Sequence, residues 1–563
     1  MITKPSLFPT KLAPREVQRI SMGSEISEPE ISAVPLKRSH ADLRLRYFCY
    51  AVLVTAMVIF AVVRVRLRNT PLQRDEGEYA YAGQLMLQGI PPYQLAYNMK
   101  LPGTYVAYAV IMAAFGQTVA GIRIGMLVVI LANTLLVFLL TRRLFGLLAG
   151  TVAATFYTLL ANRWSTLALD GHATHFIALA ALAGAILLLD AISTQRKTSL
   201  FFSGLCFGLA FLMKQHGITF AAFAVLFWTW SEWKQSASWR RLISRRSILT
   251  AGIVLPYLIT CLLLWHAGVF RQFWFWTVHY GAAYEKILGL SEGWKQLKTT
   301  LPLLPRPAII WLLAGFGLTS FLWSERARVY RAFVLSFTFF SILAVFPGLY
   351  FRPHYFLVIL PAVAMLAGLG ISASYEYLRE RNFLTIVAVI PIVFFVLSYL
   401  SVLRGQRIFL FRLSPIAMDQ LMYPEDGFPD AVTISDYIRS HTAENDRIAV
   451  LASEPEIYFY SKRHSATGYM YMYPMLEKQK FALQMQSGTE QEVEQSRPRL
   501  IIYTDNLFKW GCAKEWPESD PDPGMNIFLW MHGYLDAHYD LMAELPMRSH
   551  SITPCSYFVY QRR

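Results

Sequence analysis

About eleven stretches of roughly twenty mostly apolar residues run through the first 402 positions, and they limit what this chain can become. Hydrocarbon offers no hydrogen bonds, so backbone that crosses it must pair within its own segment, which makes these stretches helices. They fall near 47–63, 122–140, 147–164, 174–192, 200–213, 218–230, 248–266, 303–323, 332–346, 355–371 and 383–402. Gly103–Phe115 is also apolar but short, and it reads as a helix lying in or dipping into the outer interface. Composition agrees: 55% of the 563 residues are hydrophobic and 16% charged, against about 25% charged in soluble chains.

Charge placement sets the sidedness. With a cytoplasmic N-terminus, the inner loops carry Lys37, Arg38, Arg44 and Arg46, then Arg142 and Arg143, then Arg196 and Lys197. The next hold Lys234, Arg240, Arg241, Arg245 and Arg246, then Arg326, Arg328 and Arg331, then Arg379 and Arg381. Every inner loop is basic, as the positive-inside rule requires. Arg64, Arg66 and Arg68 conflict locally, since they follow the first span on the outside. The net charge of +15 fits loops facing anionic lipid and cations holding an anionic substrate. No compact basic, aromatic-interleaved module suggests nucleic acid.

The expected organisation is mainly α. A disordered cytoplasmic arm (1–46) precedes a polytopic helix bundle (47–402), whose first outer loop (64–121) carries interfacial helices. A small extracytoplasmic α/β domain (403–563) follows, with strands near 446–451, 499–503 and 556–560 and helices near 430–441 and 528–539. The first 36 residues lack a signal-peptide core, so the first span is an uncleaved anchor. Cys49, Cys206 and Cys261 fall in spans. Cys512 and Cys555 fall in the outer domain, where an oxidising compartment would let them pair.

The residues able to do chemistry gather on the outer side. Asp75 and Glu76 follow the first span, where a partly solvated carboxylate can accept a proton. Lys100 lies on the same loop, beside Pro102-Gly103. A second acid, Asp170, ends the third span, and two acids at one mouth can divide proton transfer and orientation or hold a divalent metal. No spacing demands a cofactor. Lys214, His216, Arg352 and His354 add cations among apolar and aromatic neighbours, a setting for a phosphate head group. Each has a structural alternative: helix caps for Asp75 and Asp170, and snorkelling for the cations. The aromatics Phe273, Trp274, Phe275, Trp276 and Tyr280 suit a sugar-stacking groove or an interfacial belt. No Walker or dinucleotide loop is present.

Taken together, Asp75-Glu76, the Lys100-Leu101-Pro102-Gly103-Thr104-Tyr105 element, Asp170, Lys214-Gln215-His216-Gly217 and Arg352-Pro353-His354-Tyr355-Phe356 resemble the loop motifs of one superfamily. It is the glycosyltransferase C superfamily, in the branch of protein O-mannosyltransferases and lipid A aminoarabinose transferases. Residues 446–458 resemble the soluble tail of many bacterial members. The resemblance implies an inverting transferase in a bacterial inner membrane, with its outer domain in the periplasm. It would move a sugar from a polyprenyl-phosphate donor to a hydroxyl or amine of a lipid, glycan or protein acceptor. Asp75 would match the catalytic carboxylate and Asp170 the second acidic position. Lys100 would match the lysine on the donor phosphate, and Arg352 and His354 lie where relatives also bind it. Pro102-Gly103 departs from the Pro-Pro of many relatives, and the tail lacks an obvious protein-binding repeat. Two rival readings are a flippase for a lipid-linked sugar and a non-catalytic scaffold. Transporters place their charges at the bilayer midplane, and a scaffold leaves Asp75, Asp170 and Lys100 without a task.

Overall fold

A computed structural model describes residues 40–235, 238–304, 307–381, 383–424, 426–504, 526–546 and 556–563. Most of the expected arm, and both Cys512 and Cys555, lie outside the described residues.

Nine helices open the described chain: α1 (His40–Arg66), α2 (Arg74–Leu87), α3 (Gly103–Phe115), α4 (Val119–Phe145), α5 (Leu147–Leu160), α6 (Ala173–Thr194), α7 (Lys197–Met213), α8 (Ile218–Lys234) and α9 (Trp239–His266). Later helices include Ala308–Trp323, Glu325–Leu343, Leu360–Glu380 and Ile390–Gly405. Among the described residues, each expected apolar stretch coincides largely with helix, 383–402 as two pieces, Thr385–Ala388 and Ile390–Gly405. Among the described residues, six helices are long and apolar enough to cross a membrane alone, and a pair bent by 103° at 303–308 would make seven. Glu325–Leu343 has 19 residues but carries four charged side chains in its first two turns. Several others are short: α5 has 14 residues and rises only about 21 Å against a hydrocarbon core of about 30 Å. α3 has 13 residues, as its apolar run predicts.

The bundle closes around Leu360–Glu380, the best-buried of the span-length helices. Small residues let its neighbours approach backbone to backbone. A Cβ on Gly317 would stand 1.9 Å from the Leu366 carbonyl oxygen, and one on Gly368 would stand 2.4 Å from that of Ala149. Arg64 is no topological charge. It is buried and donates to Asn162 Oδ1 at 3.0 Å and to the carbonyls of Ala161, Ala168 and Leu169. Arg66 likewise donates to the carbonyls of Phe409 and Leu410. Two of the three cations that conflicted with the expected sidedness are thus consumed as clamps.

The C-terminal sheet has the order β2-β1-β3-β5-β4. β1 (Arg447–Leu451) runs parallel to β2 (His464–Ser465) and β3 (Leu500–Thr504). β5 (Ser556–Arg562) runs antiparallel to β3 and to β4 (Tyr539–Pro546). β3 is buried at every position, as a central strand covered on both faces should be. The sheet domain rests on the segment between α1 and α4. Gly77 of α2 lies so near the helix Glu456–Ser461 that an added Cβ would meet Glu456 Cβ at 2.5 Å. The Leu72 amide donates to Tyr460 Oη at 2.8 Å, and the Tyr97 amide donates to the Gly468 carbonyl at 2.7 Å.

Candidate active site

The site starts with the cap of α2. Gln73 is the N-cap: its side chain accepts from the Asp75 amide, and Glu76 accepts from the Gln73 amide in return. Asp75 is therefore not the cap. It lies in the first turn, with Glu78 three residues on and on the same side of the helix. Nor does Asp170 cap α6, whose N-cap is His172.

Lys100 joins the two acids of that face. Its Nζ lies 2.9 Å from Asp75 Oδ1 and 2.5 Å from Glu78 Oε2. Glu78 is fully buried and also accepts from the hydroxyls of Tyr105 and Tyr471. Burial, the largest single influence, would raise the Asp75 carboxyl, but Lys100 together with the neighbouring histidines outweighs it and holds the group well below the usual carboxylate range. Glu78 goes the other way, raised by burial. Burial would lower Lys100, yet Asp75 and Glu78 keep it well above the usual lysine range. Asp75 is thus ionised and 22% of its side chain remains exposed, which a proton acceptor needs.

Behind it lies a second network, centred on Arg123 of α4. Arg123 Nη1 pairs with Glu76 Oε1 at 2.6 Å and with Asp170 Oδ1 at 3.3 Å. Glu76 also accepts from the Gly171 amide at 2.6 Å, and Asp170 accepts from Tyr423 Oη at 2.7 Å. The two acids expected to share proton work are held by a common buried cation. They join α2, α4 and the loop 169–171.

The histidines come from the N-cap of α6 and from the 3-10 helix Pro353–Ile359. His354 Nε2 stands 4.0 Å from Asp75 Oδ2. Its ring lies flat against His172, with centroids 4.1 Å apart and planes 6° apart. His172 Nε2 is 4.0 Å from Asp170 Oδ2. Burial lowers His172 to about 4, so it is neutral.

The remaining cations flank this group. Lys214 Nζ sits 3.9 Å above the Tyr355 ring, and the Arg352 guanidinium lies 5.4 Å from the Tyr350 ring centroid. Among the described residues, neither forms an ion pair within 4.0 Å. Burial lowers Lys214 to about 7. His216 is turned elsewhere: its ring meets the edge of Tyr355 and is tied to the Ala344 backbone. The aromatic loop splits into two roles. Trp274 is 40% exposed, while Trp276 is buried and stacks on Tyr97 with centroids 5.5 Å apart.

Asp75, Lys100, Asp170, Lys214, Arg352 and His354 thus belong to one neighbourhood, as the sequence suggested. Glu78, Arg123, His172, Tyr423 and Tyr471 were not anticipated. Glu78 had one available signal, its i+3 spacing from Asp75.

Residues 100–265 match the family model of the dolichyl-phosphate-mannose-protein mannosyltransferases. No curated protein sequence matches the chain. Among solved structures, the chain is similar to the crystal structure of ArnT from Cupriavidus metallidurans bound to undecaprenyl phosphate. That match has a TM-score of 0.56 and 16% identity, and covers 91% of this chain and 98% of that one. A weaker likeness joins it to the oligosaccharyltransferase of Archaeoglobus fulgidus, with a TM-score of 0.49, 12% identity, and coverage of 82% of this chain and 69% of that one. The family match and the fold of ArnT agree with the resemblance to the glycosyltransferase C superfamily, and together they indicate a multi-pass membrane glycosyltransferase.

Proposed function

We propose that this chain transfers a sugar, with inversion, from a polyprenyl-phosphate donor to an acceptor hydroxyl or amine at the outer face of a bacterial inner membrane. The observation that carries this reading is the pair of partly buried cations that have no ion-pair partner within 4.0 Å among the described residues, Lys214 and Arg352, beside an ionised carboxylate already paired with Lys100. An anionic head group would satisfy those cations. A polyprenyl phosphate fits, because its tail can stay in the bilayer while its phosphate meets them. The undecaprenyl phosphate in the ArnT structure supports the same donor class.

The chemistry follows from the groups present. The phosphate leaves from the anomeric carbon, and Lys214, Arg352 and Lys100 stabilise its growing charge. Asp75 takes the proton of the attacking hydroxyl or amine. One displacement forms the new glycosidic bond as the old one breaks, so the anomeric centre inverts. Glu78 holds Lys100. Glu76, Asp170 and Arg123 act as positioning residues that fix α2 against the loop 169–171. His354 borders the donor phosphate, and His216 supports Tyr355. No step requires a metal, although the site contains a set of groups suited to one.

The test incubates the purified protein with a panel of polyprenyl-phosphate sugars and candidate acceptors, and follows release of the lipid phosphate. Wild type should release it from one donor. Asp75→Asn should lower turnover by about 10²–10⁴-fold, the usual contribution of a general base, while still binding that donor. Equal release by both proteins would remove Asp75 from this role.

A further inference from the structure

Three buried polar atoms lack a hydrogen-bond partner among the described residues: Glu477 Oε2, Tyr350 Oη and Tyr280 Oη. Separate elements supply them. Glu477 follows the soluble-domain helix Tyr473–Leu476, its amide donating to the Tyr473 carbonyl at 3.1 Å. Tyr350 lies just before Arg352, whose guanidinium is 5.4 Å from its ring centroid. Tyr280 ends the helical turns Phe275–Tyr280 and meets Trp276 edge-on at 5.2 Å. Tyr284 links the two tyrosines: its ring stacks on Tyr350 with centroids 4.8 Å apart and lies 6.2 Å from Tyr280. The Glu477 charge acts on the hydroxyls of all three tyrosines, and Arg352 acts on Glu477. The Tyr350 hydroxyl lies near that of Tyr284 without a well-formed bond to it. Buried polar atoms in folded proteins are nearly always satisfied. A carboxylate oxygen and two phenols left open around one cation imply a missing polar partner.

We propose, on the transferase reading of this site, that Glu477, Tyr350 and Tyr280 form a subsite for the hydroxyls of the donor's sugar, next to the cations that hold its phosphate. A sugar is joined to its phosphate through one oxygen, so with the phosphate on Arg352 its ring must meet the walls around that cation. Those walls offer what a sugar binds. A carboxylate accepts from two vicinal hydroxyls, and phenols donate or accept. Bonds to an ionised acceptor are the strong ones. Burial pushes Glu477 up to about 7 while Arg352 pulls it down, so the carboxylate form is populated at neutral pH. A sugar without the bound hydroxyls would leave buried groups unpaired. A sugar acid would set a second anion against Glu477, which selects against it. Tyr280 and Tyr473 also line a cavity of about 10 Å³, room for about one water. An entering sugar therefore displaces that water and eases the segment 473–477 outward.

The full chain in detergent, without acceptor, is titrated by displacement of a fluorescent polyprenyl phosphate. The competitors are plain undecaprenyl phosphate and the same lipid phosphate carrying a neutral hexose, a neutral pentose or a uronic acid. Wild type should bind at least one neutral-sugar lipid about tenfold more tightly than the plain phosphate, and the uronic acid no more tightly than it. Glu477→Gln should remove about tenfold of that sugar preference and Tyr350→Phe about fivefold, as loss of a charged and of a neutral hydrogen bond respectively. Both should still bind the plain phosphate as wild type does, which shows that they fold. Lys214→Met should weaken both kinds of lipid alike. Glu477→Gln and Tyr350→Phe proteins that bind every lipid as wild type does, or that weaken all of them alike, would overturn the subsite. So would wild type that binds the plain phosphate but gains nothing from any sugar, a result that leaves the donor class standing. Wild type that binds neither kind of lipid would bring down the transferase reading and the subsite with it.

Discussion

At the scale of single residues, Lys214 is the most testable group. Its charge is already marginal near neutrality, because burial lowers it to about 7. As pH rises through that value the free enzyme loses the charge, and an anionic donor loses one of its partners. The donor KM should therefore climb on the alkaline side of neutrality, with kcat less affected. Lys214→Arg should flatten the rise, since a guanidinium stays charged throughout that range; steady-state kinetics across pH decides it. Asp75 and Lys100 were legible in the sequence as an acid and a base on one loop, and the structure places them 2.9 Å apart. Glu78 was not, because its i+3 spacing from Asp75 does not by itself show that it is buried against Lys100. Arg123 was hidden for another reason. A lone cation inside a long apolar helix reads as snorkelling, and only the tertiary fold brings Glu76 and Asp170 to it.

At the scale of elements, the Arg123 network and the glycine contacts decide how the helices sit. Arg123 is the shared cation of two buried carboxylates and also donates to the Pro71 carbonyl at 2.8 Å. Removing one partner of a buried ion pair costs about 3–5 kcal/mol, because the remaining charge is left uncompensated. Arg123→Met should therefore lower the thermal midpoint in detergent markedly, and Glu76→Gln in the same background should recover part of the loss. Gly317→Ala tests packing alone. Its Cβ would fall 1.9 Å from the Leu366 oxygen, so Ala308–Trp323 must shift away from Leu360–Glu380, and the midpoint should drop without any change in charge. The helices themselves could be read from apolar runs. Their lengths could not, since a short helix buried within the bundle, such as α5, is as apolar as one that spans. In the sheet, β1, β3 and β5 announced themselves as runs rich in β-branched and aromatic residues. β2 has only two residues, too few to show a period.

At the scale of the molecule, the question is whether the C-terminal domain only covers the site or takes part in it. The sequence placed this domain on the outer side but said nothing of its contacts. The structure brings Tyr471, between β2 and β3, to Glu78, with its hydroxyl donating to Oε2 at 2.7 Å. The same oxygen holds Lys100 at 2.5 Å, and Lys100 holds Asp75. A chain of contacts therefore runs from the soluble domain through Glu78 and Lys100 to the proposed base. Tyr471→Phe keeps the ring and removes only the hydroxyl, so the domain should stay docked through the Tyr460 and Gly468 contacts. A positioning role predicts that kcat falls by about tenfold, equivalent to about 1.4 kcal/mol, with little change in thermal midpoint. Unchanged kcat would mean that the domain is a cover and that Glu78 needs only Tyr105 and Lys100 to hold its place.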